Sequence, residues 1–161
     1  MEKVFIALGG NVGRVSEKFE MAIEKIREMI GPVIKESSLY KTEPWGNKNQ
    51  DDFLNSVICV ETNLTSDEVL KNILAIEKAM GRNRNKDNQF APRTIDIDIL
   101  FYGNKIINTD HLIIPHPRLH LRNFVLTPLM EIAPGLIHPI LNKTIEEISG
   151  LNTDSSVVRI I

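Results

Sequence analysis

Hydrophobic residues recur along this chain at two spacings, and the switches between them divide it into elements. An apolar run at residues 4–8 ends in Gly9-Gly10-Asn11, the pattern of a buried strand entering a tight turn. Val15, Phe19, Ile23, Ile26 and Ile30 follow at helical spacing, with Glu17, Lys18, Glu24, Lys25 and Glu28 between them, and Gly31-Pro32 stops that helix. Residues 33–41 read as a strand, 42–52 as a polar loop around Pro44, Trp45 and Gly46, and 53–62 as the next strand. A second helix opens at Thr65, whose hydroxyl can cap it, with Glu68 three residues on and Leu64 placed to staple against Val69. Val69, Ile73, Ile76 and Met80 form its buried stripe and Gly81 ends it. Beyond the polar stretch 82–89, the pattern predicts a strand over 94–102, a short strand at 112–114, and helices within 119–132 and near 144–149.

The order β-α-β-β-α-β plus a C-terminal extension predicts an α+β fold. It matches the ferredoxin-like sandwich, an antiparallel sheet with helices on one face, built as a single domain over residues 1–161.

Composition narrows the function classes. A chain of 161 residues, 42% hydrophobic and 25% charged, has the balance of an ordinary globular domain. Its formal net charge of −2 argues against a general binder of nucleic acid or acidic membrane, since both select for surplus Lys and Arg. The N-terminus runs straight into a strand without a leader pattern, and no apolar run reaches the roughly 18 residues a membrane span needs. Cys59 is the single cysteine, set among Val57, Ile58 and Val60, so it reads as a buried thiol. The expectation is a cytoplasmic protein, monomer or weak homodimer, acting on small molecules.

The segment Arg93-Thr94-Ile95-Asp96-Ile97-Asp98-Ile99-Leu100 carries the most chemistry. Strand alternation sends Ile95, Ile97, Ile99 and Phe101 to one face and Asp96 and Asp98 to the other. Two carboxylates so placed have Cα atoms roughly 6.5–7 Å apart, close enough to converge on hard cations such as Mg²⁺. Spacing alone is equally satisfied by an amphipathic strand with a solvated acidic face. Like-charge repulsion tilts the balance towards a bound cation. The neighbouring Arg82, Arg84, Lys86 and Arg93 add guanidinium forks suited to phosphate oxygens. No glycine-rich Walker string or kinase-type Gly-x-Gly-x-x-Gly is present.

Other positions keep two readings open. His116, between Pro115 and Pro117, suits a phosphate ligand or a structural turn. Arg122 and Phe124 flank Asn123 near a helix start. Glu77 shares the helical face of Ile73 and Met80, where it can pair with an arginine or orient a functional one. Trp45 can be a surface anchor or can close over a flat ligand. His111, His120 and His138 lack the spacing of a zinc site.

Six stretches together resemble the 6-hydroxymethyl-7,8-dihydropterin pyrophosphokinase family of the folate pathway. They are Ala7-Leu8-Gly9-Gly10-Asn11, Tyr40-Lys41-Thr42-Glu43-Pro44, Phe53-Leu54-Asn55, the string Phe90-Ala91-Pro92-Arg93-Thr94 running on to Leu100, Pro115-His116-Pro117-Arg118, and Arg122-Asn123-Phe124-Val125-Leu126. The resemblance covers residues 4–134 and implies a ferredoxin-like enzyme that moves the terminal diphosphate of ATP to a pterin hydroxymethyl group, releasing AMP. It implies that Asp96 and Asp98 bind two Mg²⁺ ions and that Arg93, His116 and Arg122 contact phosphates. Arg82 and Arg84 would arrive on a closing loop, with Glu77 and Ile99 also on the ATP side. For the pterin it implies Phe53 and Phe124 stacking on the ring, Asn55 and the Thr42-Glu43 backbone at its edge, Gly9 beneath it, and Trp45 and Phe90 in the lids. The sequence departs from the commonest family pattern at Gly10, Phe53, Phe90-Ala91 and Leu119-His120-Leu121. Two rival classes are an RNA-binding module and a regulatory nucleotide-binding domain. The first lacks an aromatic-rich string, and the second needs no paired carboxylates.

Overall fold

The computed structural model describes residues 1–11, 14–42, 52–81 and 95–161. Strand β1 (Glu2–Gly10) is apolar on both faces and sits inside the sheet, paired antiparallel with β4 (Phe53–Thr62) on one side and β5 (Asp96–Tyr102) on the other. The outer side of β4 carries β2 (Val33–Glu36) and β3 (Tyr40–Thr42), so the main order is β3-β4-β1-β5. Helices α1 (Val15–Met29) and α2 (Ser66–Ala79) bury their stripes, among them Phe19, Ile23 and Ile26 from α1 and Val69, Ile73 and Ile76 from α2. These join Val4, Ile6, Leu8, Ile58 and Val60 in one core. Thr65 caps α2 as expected, its hydroxyl accepting the Glu68 N–H at 3.2 Å. This is the ferredoxin-like arrangement.

The C-terminal extension covers the opposite face with the two helices expected within 119–132 and near 144–149, so helices lie on both faces of the sheet and not on one. A small hairpin, β6 (Ile107–Asn108) with β7 (Ile113–Ile114), leads through a short 3-10 helix (Leu119–Leu121) into α3 (Asn123–Ile132). A second hairpin, β8 (Ile137–His138) with β9 (Lys143–Thr144), then leads into α4 (Ile145–Leu151), and β10 (Arg159–Ile160) pairs with β3 at the sheet edge. Leu126, Leu129, Ile132, Ile145 and Ile148 pack with Phe5, Val57, Cys59 and Phe101 as a second core. The sheet needs this cover because β1 and β4 are apolar on both sides. No helix among the described residues is long and apolar enough to cross a membrane.

Two departures from the expected pattern are informative. The strand expected over residues 33–41 is broken: Glu36 pairs with Ile58 and Tyr40 with Asn55, so the edge strand carries one residue more than its partner. Ser37 bridges the break. Its N–H donates to the Val57 carbonyl and its hydroxyl accepts the Val57 N–H, each at 2.9 Å. The Ser38 N–H and the Tyr40 hydroxyl both donate to Glu131 on α3, at 3.0 and 2.5 Å.

The second departure is in β5, where Ile99 pairs with Ile6 and Phe101 with Phe5, leaving Leu100 as a bulge. Alternation assigns Phe101 to the isoleucine face. The bulge moves it, with Leu100, to the second core, while Ile95, Ile97 and Ile99 stay in the first.

A glycine is required where α1 meets β4. A Cβ on Gly31 would fall 1.9 Å from the Glu61 carbonyl oxygen, and the adjoining Pro32 carbonyl accepts the Glu61 N–H at 3.0 Å. Gly31→Ala is expected to cost about 1–3 kcal/mol of stability by forcing these backbones apart, readable in urea denaturation. His138, 4% exposed, uses Nδ1 to accept the Ile140 and Leu141 N–H groups at 3.2 and 3.1 Å. Burial first, and the nearby His120 second, hold its pKa below the usual 6.5. The folded state therefore binds fewer protons than the unfolded chain in that range. The resulting stability is full above the ordinary histidine pKa and is lost as pH falls through it towards the depressed value. Denaturation midpoints should fall less on acidification from pH 8 to pH 5 in His138→Gln than in the wild type.

Candidate active site

Because Ile95, Ile97 and Ile99 are taken up by the first core, Asp96 and Asp98 face the other side of the sheet, each partly exposed. There they line a cavity of about 520 Å³. Its floor is the neighbouring strands, in register: Gly9 lies opposite Asp96, Ala7 opposite Asp98, and Asn55 opposite Gly9. Thr42 and Phe53 extend the floor across β3 and β4, and His116, Arg118, Arg122 and Phe124 form the facing wall.

The floor is shaped by a missing side chain. A Cβ on Gly9 would lie 3.1 Å from Asn55 Oδ1, tighter than an ordinary contact, so glycine leaves the amide its room. Asn55, 8% exposed, donates from Nδ2 to the Thr42 hydroxyl at 3.2 Å. An amide has two donor and two acceptor positions, so this bond leaves Asn55 the capacity to read the polar edge of a flat heterocycle.

The wall is anchored at the β5 bulge, where the Leu100 carbonyl accepts the His116 N–H at 3.0 Å. His116 Nδ1 in turn accepts the Arg118 N–H at 3.2 Å, so the neutral ring carries its proton on Nε2. Burial first and the Arg122 charge second push the His116 pKa down to about 4, with Asp96 opposing and Arg118 adding to the fall. The ring is thus a neutral donor at physiological pH. The Arg122 guanidinium lies over the Phe124 ring, its Cζ 5.4 Å from the centroid. One end of the cavity therefore offers carboxylates, the facing wall cations and an imidazole donor, and the floor aromatic and amide groups.

Of the residues singled out in the sequence, Gly9, Thr42, Phe53, Asn55, Asp96, Asp98, His116, Arg122 and Phe124 come together on this cavity. Glu43, Trp45, Arg82, Arg84, Phe90 and Arg93 lie outside the described residues. The Ile99 side chain faces the first core, on the opposite side of the strand from Asp98. Glu77, 2% exposed on α2, accepts the Ile97 N–H at 2.8 Å and so braces β5 midway between the two aspartates. Arg118, Leu121 and Asp154 also line the cavity but were not singled out as site residues. Arg118 stands in the Pro-His-Pro-Arg motif, two residues from His116, where a further cation was legible. Asp154 lies in a polar tail with no motif to mark it.

The family model described as 7,8-dihydro-6-hydroxymethylpterin-pyrophosphokinase (HPPK) matches residues 5–134. A 2-amino-4-hydroxy-6-hydroxymethyldihydropteridine pyrophosphokinase of Aquifex aeolicus is 41% identical over 153 residues, covering 95% of this chain and 94% of that protein. One of the same description from Methylorubrum extorquens is 36% identical over 161 residues, covering 99% of each. The crystal structure of wild-type Plasmodium falciparum HPPK-DHPS superposes with a TM-score of 0.74 at 19% identity, over 93% of this chain and 44% of that one, a likeness of fold. On the family match and these relatives, the chain belongs to the 7,8-dihydro-6-hydroxymethylpterin-pyrophosphokinase family and is an ATP-dependent pyrophosphokinase.

Proposed function

We propose that this chain transfers the terminal diphosphate of ATP to the hydroxymethyl oxygen of 6-hydroxymethyl-7,8-dihydropterin, releasing AMP, with Asp96 and Asp98 holding two Mg²⁺ ions. The observation that carries the reading is one cavity in which two carboxylates share a strand face opposite His116, Arg118 and Arg122. Its volume of about 520 Å³ suits a small-molecule ligand. The donor set fits the metal: both groups are hard carboxylate oxygens, and Mg²⁺ is commonly held by one or two carboxylates together with substrate phosphates. When bound, Mg²⁺ would neutralise phosphate charge and favour in-line displacement.

The chain's own residues divide the remaining work. Arg122, and Arg93 outside the described residues, would bind phosphate oxygens through their guanidinium forks. Arg82 and Arg84 also lie outside them; Arg82 would act in catalysis and Arg84 would hold the triphosphate. His116 would donate from Nε2 to a phosphate oxygen. Phe53 and Phe124 would stack on the pterin faces, and Asn55 with Thr42 would hydrogen-bond its edge. Catalysis of this kind rests on positioning and charge neutralisation more than on a strong base, and no basic residue needs a raised pKa for it.

Incubation with ATP, Mg²⁺ and 6-hydroxymethyl-7,8-dihydropterin should release AMP in step with pterin diphosphate. Release of ADP instead, or AMP formation that ignores the pterin, would overturn the reading. Asp96→Asn and Asp98→Asn keep side-chain volume but remove charge. Each should lower kcat at saturating Mg²⁺ by at least about a hundredfold, on the order of 3 kcal/mol of transition-state stabilisation. Circular dichroism should show the fold retained, and near-wild-type turnover in either variant would remove the metal assignment.

A further inference from the structure

The tail at residues 152–161 lies beyond the residues that the family model matches, and it is tied to one wall of the cavity and to its floor. The first tie is at the start of α3. Arg122, the residue before the helix, supplies no side-chain cap. Asp154 acts there instead, its Oδ2 accepting the Asn123 N–H at 2.9 Å. Asn123 answers with its side chain, donating to the Asp154 and Ser156 carbonyls at 2.8 and 3.1 Å and accepting from Asn152 at 2.6 Å. Asp154 Oδ1 is taken up by the Ser156 N–H and hydroxyl, at 2.9 and 2.6 Å. Burial alone would raise the Asp154 pKa, but the bonds from Ser156 and Asn123 outweigh it and hold the carboxylate ionised.

The second tie is at β3. Arg159 pairs with Lys41 and Ile160 with Tyr40, and the Ile161 N–H donates to the Leu39 carbonyl at 3.0 Å. That strand ends at Thr42, on the cavity floor. Between its ties the tail contributes little to either core: Val157, Ile160 and Ile161 are 61%, 63% and 68% exposed. Its interactions are polar and are concentrated on one residue, Asn123, whose two neighbours in sequence, Arg122 and Phe124, both line the cavity.

We infer that Asp154 is a positioning residue for ligand binding, acting through Asn123 to set the Arg122 and Phe124 side chains against the cavity. Both its oxygens already accept from the chain, Oδ2 from the Asn123 N–H and Oδ1 from Ser156, so its bonds fix the start of α3 before any ligand arrives. The inference rests on the pterin and ATP reading of the cavity. Its test uses the full chain and calorimetric binding of the pterin and of a non-hydrolysable ATP analogue with Mg²⁺, alongside thermal unfolding. Asp154→Ala should weaken both ligands roughly tenfold, the scale of one charge-assisted hydrogen bond. Asp154→Asn keeps one acceptor oxygen and should recover part of the loss. Thr144→Ala is the control: it removes the capping box of α4, none of whose residues lines the cavity, and should lower the melting temperature while leaving both affinities within about twofold of wild type. Unchanged affinities in Asp154→Ala would overturn this inference alone, as would equal losses in Thr144→Ala. A wild-type chain that binds neither ligand would overturn the functional reading beneath it as well.

Discussion

Strand β5 has to satisfy two incompatible environments within a few residues, and much of the molecule follows from how it does so. Ile95, Ile97 and Ile99 give it a dry face against α1 and α2, which obliges Asp96 and Asp98 to face the other side. If strict alternation continued, Phe101 would join the isoleucines and the second core would lose its aromatic centre. The bulge at Leu100 prevents this, turning Leu100 and Phe101 together towards α3 and α4. One strand thus changes allegiance from the helices that build the fold to those that build the site wall.

The same bulge has a second consequence. The Leu100 carbonyl receives the His116 N–H, so the strand that carries the carboxylates also anchors the segment that carries the imidazole and, a few residues on, the guanidinium groups. Glu77 reaches in from α2 to accept the Ile97 N–H, fixing β5 between the two aspartates. The segments that carry the carboxylates and the imidazole are therefore fixed by backbone contacts to rigid elements. That arrangement suits a reaction in which charge must be in place before the substrate arrives.

Charge at the cavity is divided, not pooled. His116, desolvated first and in the field of Arg122 second, stays neutral at physiological pH, across the cavity from the carboxylates and beside the guanidinium groups. Arg122 rests on Phe124, so a cation and an aromatic ring that both line the cavity share one support. Asn123, between them, is held by a tail that packs into neither core, so the approach of these two cavity-lining residues runs through a handful of polar bonds.

The elements of the ferredoxin-like half were legible from local pattern: the stripe from Val15 to Ile26, the Thr65 cap and the alternation of Ile95 to Ile99 each report a periodic demand of burial. The carboxylate pair, His116, Arg122, Phe124, Phe53 and Asn55 were legible because they sit in short motifs whose residue types are unusual for their surroundings. The bulge at Leu100, the break at Ser37, the bond from Ile97 to Glu77 and the reach of Asp154 to Asn123 were not. Each depends on which backbone groups remain unpaired after distant segments meet, a matter of register and approach that no local spacing encodes. The sequence by itself determined that two aspartates would leave the core side of a strand and that basic and aromatic residues would be available to them. Only the tertiary structure decided that these groups share one cavity, because only packing on both faces of the sheet brings the C-terminal segments across it.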